Sequence, residues 1–109
     1  MEQSPFVLIR SLQTQMLGLL RQFDTFGMEK IERELIVALK HDLADTRLDV
    51  RDYELSETRA EQLGKALVAK QGLERIRKSI LTASEYNVFS AVDVAQLTAQ
   101  VEEVIVRLI

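Results

Sequence analysis

The sequence predicts an all-α protein, a small bundle of about four mostly antiparallel helices, and three observations carry that prediction. Punctuation is sparse, with one proline and four glycines in 109 residues. The rest is rich in Leu, Ala, Glu, Arg and Gln, which lose little side-chain freedom in a helix. Apolar residues recur at steps of three and four along most of the chain, and no alternating strand pattern of any length competes. With 47% hydrophobic residues a chain of this length can bury a core, so one helical domain over residues 1–109 is expected.

The first helix is expected over residues 4–26. Ser4 is its N-cap, and Pro5 occupies the first helical position, where a missing N–H costs nothing. Leu8, Leu12, Met16, Leu19, Phe23 and Phe26 make one stripe, widened by Ile9 and Leu20. Gly27 ends the run, with Met28 placed to fold back on Phe23, so helices 1 and 2 pair tightly and antiparallel. The second helix is expected over 28–46, with Met28, Ile31, Leu35, Ala38, Leu39 and Leu43 inward and Glu29 and Glu32 at the positive end of its dipole. Its apolar stripe then meets Asp42, Thr46 and Asp49. Either the helix ends near Asp45 and "TRLDVRDYEL" is a connection, or it continues, since no Pro or Gly lies between Met28 and Leu63.

The third helix is expected over 56–85. Ser56 can cap it, or Thr58 can form a capping box with Glu61. Ala66, Ala69, Leu73, Ile76, Ile80 and Ala83 then alternate steps of three and four without a slip, a heptad-like seam. Leu63 and Leu67 flank its start, and Ala60, Gly64, Ala66 and Ala69 are small enough for another backbone to approach. Fraying is expected after Ala83, where "SEYN" leads to Val88 and Phe89. The fourth helix, expected over 90–109, opens on a Ser90 cap with Asp93 three residues on. Val94, Leu97, Val101, Val104, Ile105 and Leu108 form its buried stripe, with the chain's last residue, Ile109, docked beside it. Val92, Ala95, Ala99 and Val106 form a second, thinner apolar line, which implies a second neighbour.

A net charge of -3 offers no general footprint for a nucleic-acid backbone or an anionic membrane, and zero cysteines exclude disulfides, thiolate metal sites and a cysteine nucleophile. The apolar "PFVLI" ahead of Arg10 is too short for a signal-peptide core or a membrane span, so a cytoplasmic protein is expected. The acid-rich "KHDLADTRLDVRDY" raises the question of a metal. His41, Asp45 and Glu34 can share one helix face, but that face is interrupted by Lys30 and Arg33 and reads as a wet surface. Glu29-x-x-Glu32 and Asp49-x-x-Asp52 resemble the acid pairs of all-α nucleoside-triphosphate pyrophosphatases of the MazG kind, without that family's first-helix run of adjacent glutamates. The resemblance implies Mg²⁺ held between two helices.

Lys65, Lys70, Arg75, Arg77 and Lys78 invite a nucleic-acid reading, but Arg75, Arg77 and Lys78 toward the end of helix 3, with Glu54, Glu57 and Glu61 near its start, also complement its dipole. Tyr53 and Tyr86 are expected to cover core edges. No phosphate-cradling glycine loop and no serine–histidine device is present in the sequence.

The expected function is therefore a non-catalytic helical protein–protein interaction module, a scaffold, adaptor or regulator that self-associates as a homodimer. Its expected interaction surface is the seam of Ala66, Ala69, Leu73, Ile76, Ile80 and Ala83, with no cofactor, metal or catalytic residue assigned. The alternatives are a Mg²⁺-dependent pyrophosphatase-like enzyme and a nucleic-acid-associated regulator.

Overall fold

Ser4 opens the first of four helices in the computed structural model, which describes residues 3–21 and 29–108. Its hydroxyl accepts the Val7 N–H at 3.3 Å, and Pro5 begins α1 (Pro5–Leu20). Ile9, Leu12, Met16 and Leu20 are buried and Leu8 and Leu19 half-buried, so the wider stripe is the working face. Phe23, Phe26, Met28, the Gly27 cap and Ile109 lie outside the described residues.

The second helix, α2 (Lys30–Leu55), does not stop near Asp45. It runs through "TRLDVRDYEL", and its apolar face persists because it keeps the expected Leu39 and Leu43 but is turned away from Ile31 and Ala38. Ile36, Leu39, Leu43, Thr46, Val50 and Tyr53 are buried, whereas Ile31 and Ala38 are exposed and Leu35 is half-buried. These six positions alternate steps of three and four, the same rhythm as the seam on α3. Ser56 belongs to the end of α2, where its hydroxyl donates to the Asp52 carbonyl at 2.8 Å.

Thr58 caps α3 (Arg59–Glu85), its Oγ1 accepting the Glu61 N–H at 3.1 Å while Glu61 reaches back to the Glu57 N–H. The helix does not fray after Ala83. Asn87 takes a left-handed φ of 60°, its N–H donates to the Ser84 carbonyl and the Val88 N–H to the Ala83 carbonyl, both at 3.0 Å. That is a Schellman closure with asparagine where glycine is usual, and buried Val88 and Ala83 supply its hydrophobic contact. Ser90 then caps α4 (Ala91–Arg107) by accepting the Asp93 N–H at 3.1 Å. Leu97, Val101, Val104 and Leu108 are buried with Val94 and Ile105 packed beside them, as the sequence indicates.

The two long helices form an antiparallel hairpin joined by Ser56, Glu57 and Thr58. Asp42 pairs with Arg75 and Asp52 with Lys65, each at 3.9 Å, at equal separations along the two helices, and Thr46 lies against Gly72. This register sets Leu43 level with Ile76 and Leu39 with Ile80, while Val50 and Tyr53 come level with Ala69 and Ala66. Large residues therefore oppose small ones near the turn, which keeps the axes close. α1 runs antiparallel to α2, with the Phe6 N–H donating to Glu54 Oε1 at 2.9 Å and Arg47 donating to Gln13 at 3.1 Å. α4 runs antiparallel to α3 through Arg77 and Glu102 and closes on α1 through Gln15, Gln96 and Gln100. Each helix thus packs on its chain neighbour and the last on the first, an up-down-up-down ring.

Candidate interaction surfaces

The heptad seam is real and lies inside the chain. Ala66, Ala69, Leu73, Ile76, Ile80 and Ala83 are at most 1% exposed, and the matching seam of α2 covers them. These six positions, expected as the interaction surface, pack instead against α2 within the chain. The signal that could have shown this is the alternation from Ile36 to Tyr53, which Thr46 disguises as a break.

The acids of α2 border α3 along one edge of the hairpin. Asp42 faces Arg75, and Asp52 faces Lys65 and its neighbour Arg51. Asp49 is half-buried between these pairs. Burial raises its carboxyl pKa above the ordinary value, the nearby Asp52 and Asp45 push the same way, and Lys65 and Arg75 oppose them. Glu29 and Glu32 lie at the far end of the same helix, about 25–30 Å from Asp49 at 1.5 Å per residue. The two acid pairs consequently do not form the two-helix clamp that the pyrophosphatase resemblance requires. His41, Asp45 and Glu34 are all exposed, and Glu34 pairs with Lys30. Among the described residues no three metal-ligating side chains come together.

Most of the basic run faces carboxylates. Lys65 and Arg75 reach the α2 acids, and Arg77 donates to Glu74 at 2.6 Å and to Glu102 at 2.7 Å, tying α3 to α4. Among the described residues this leaves Lys70 and Lys78 as the cations of the run without an ion pair, a sparse site for a phosphate backbone. Tyr53 is buried in the seam, while Tyr86 is partly exposed beyond α3.

Apolar side chains are exposed at several places on the bundle, Val37, Leu48 and Leu55 of α2 among them, and two groups follow lines that the sequence singled out. On α4 the second line, Val92, Ala95, Ala99 and Val106, is exposed throughout. On α3 the first half exposes Ala60, Leu63, Gly64 and Leu67, with Leu63 and Leu67 46% and 59% open. The cause is a difference in helix length. α4 meets Arg77 at Glu102 and ends a turn and a half later at Arg107, whereas α3 extends back to Arg59. Along the face that α4 shares, Arg77, Glu74 and Lys70 are half-buried and Leu67 and Leu63 are open. Sequence reasoning registered the small residues here but not their exposure, which follows from where α4 stops. The chain matches no protein-family model, no curated protein and no solved structure, so its surfaces are what a functional reading has to stand on.

Proposed function

We propose that the chain is a non-catalytic helical interaction module that self-associates as a homodimer and serves as a scaffold or regulatory adaptor. The observation that supports this reading best is the apolar surface left after the bundle has closed: Leu63 and Leu67 on α3, and Val92 and Val106 on α4, the last two 66% and 69% open. Single exposed apolar residues are ordinary on any protein, but these are spaced along helix faces that already contain small neighbours, an arrangement suited to another helix. The acid pairs, by contrast, are spread along one helix and give an enzymatic reading no shared site. No helix among the described residues is long and apolar enough to cross a membrane.

Sedimentation or light scattering at micromolar concentration is expected to give the mass of a dimer, and a monomer at every concentration would overturn the reading. A panel of nucleoside triphosphates with Mg²⁺ is expected to show no turnover. Turnover abolished by both Glu32→Gln and Asp49→Asn would replace the module with an enzyme.

A further inference from the structure

We propose that the first half of α3 forms a two-fold contact with a second copy of this chain, two α3 helices crossing antiparallel about a point between Leu63 and Gly64. The proposal rests on the self-association reading above and names its surface. Glu57, just ahead of the helix, and Ala60, Leu63, Gly64, Leu67 and Lys70 follow one another along one face, which α4 is too short to cover. Set against its own reverse, the pattern complements itself. Leu67 falls on Ala60 of the second copy, Leu63 on Gly64 of the second copy, and Glu57 beside Lys70 of the second copy. Large meets small twice and opposite charges meet at the rim, as a self-complementary two-fold interface requires. Neither Glu57 nor Lys70 is engaged in an ion pair within its own chain among the described residues.

Gly64 is the independent observation. Glycine is the least favourable helix residue short of proline, and one use of it inside a helix is to admit a close approach. Gly72 has that reason inside the chain, because an added methyl would collide with Thr46; at Gly64, as at exposed Gly18 of α1, an added methyl would meet nothing within 4 Å. The neighbour that makes use of its missing side chain is on this reading outside the chain. The exposed line of α4 also reverses onto itself, about Ala99, but its rim acids Glu102 and Glu103 already pair with Arg77 and Arg107 of the same chain, so the reversal adds no new pair of unlike charges and charge favours the α3 face. A contact of this few residues lies at the small end of specific interfaces, which fits a dimer that dissociates on dilution.

The test is sedimentation equilibrium of the full chain and four variants. Gly64→Ala should raise the melting temperature of the dilute monomer by about 2–5 °C, since it improves the helix without a clash. It should also raise the dimer dissociation constant at least about tenfold, since Leu63 of the second copy now meets a methyl. Leu67→Glu should abolish the dimer while leaving the monomer folded. Glu57→Lys and Lys70→Glu should each weaken the homodimer, and an equimolar mixture of the two should restore association, because each mixed pair sets unlike charges together. A dimer unmoved by Gly64→Ala and Leu67→Glu, or charge variants that fail to complement, would overturn this surface while leaving self-association standing. A monomer at all concentrations would overturn both.

Discussion

Thr46 and Gly72 look like poor choices for the middle of a helical hairpin, a buried hydroxyl and a helix-breaking glycine, and each explains the other. Thr46 is fully buried, and its Oγ1 has no hydrogen-bond partner among the described residues. It occupies the space that a methyl at Gly72 would fill. Gly72→Ala is therefore expected to cost about 1–3 kcal/mol by overpacking. Thr46→Ala combined with Gly72→Ala should recover most of that loss, since the crowding atoms are gone and alanine is the better helix residue. Urea unfolding of the two single variants and the double variant measures the coupling, and additive effects would show that the contact is not limiting. This pair is also why the sequence hid the inner face of α2, because a threonine at a seam position reads as an interruption when only apolar residues are counted. Asp49 permits a second expectation. Its folded-state pKa lies above the ordinary 3.8, so the folded protein holds the proton more tightly than the unfolded one. That contribution to stability is complete below pH 3.8 and is lost as the pH rises through the folded value. Asp49→Asn should accordingly be more stable than the unmodified protein at neutral pH, with the gain vanishing in acid. Paired melts at the two pH values check this, and no gain at neutral pH would mean that Lys65 and Arg75 outweigh burial.

Helix starts were more legible than helix ends or partners. Ser4, Thr58 and Ser90 each cap where their chemistry places them, because a cap is a local bond between a side chain and an amide three residues on. The end of α3 was read as fraying because "SEYN" contains no glycine, yet Asn87 takes the left-handed conformation and closes the last turn. Asparagine pays less for that conformation than other side chains do. Asn87→Ala should cost about 1 kcal/mol and Asn87→Gly should be neutral or stabilising, a contrast that thermal melts resolve; equal losses would mean that the asparagine side chain, not the backbone, matters there. The seam of α3 was legible residue by residue, but its partner was not. A heptad pattern states that a helix faces another helix at 3.5-residue spacing, and nothing in the pattern says whether that helix belongs to the same chain. The apolar stripe of α4 was read correctly because no polar residue interrupts it.

At the scale of the molecule, unequal helix lengths explain both the elongated outline of 48 × 27 × 18 Å and the apolar stretch left open on the first half of α3. Helices of 26 and 27 residues make the hairpin, and helices of 16 and 17 residues cover only part of it. The fold class followed from composition and period, whereas the uncovered stretch of α3 depends on the relative placement of two helices, which no single stretch of sequence encodes. The three-residue turn from Ser56 to Thr58 has a further consequence, in time rather than in space. It makes the largest packed surface of the molecule a contact between segments adjacent along the chain, so closing it costs little loop entropy, whereas docking α1 on α4 must join the two ends of the chain. The hairpin should therefore form on the way to the transition state and the closure of the ring after it. In stopped-flow refolding below the concentration of self-association, Leu43→Ala should slow folding, while Val101→Ala should leave the folding rate nearly unchanged and speed unfolding. The reverse assignment would mean that the two short helices, and not the long pair, start the fold.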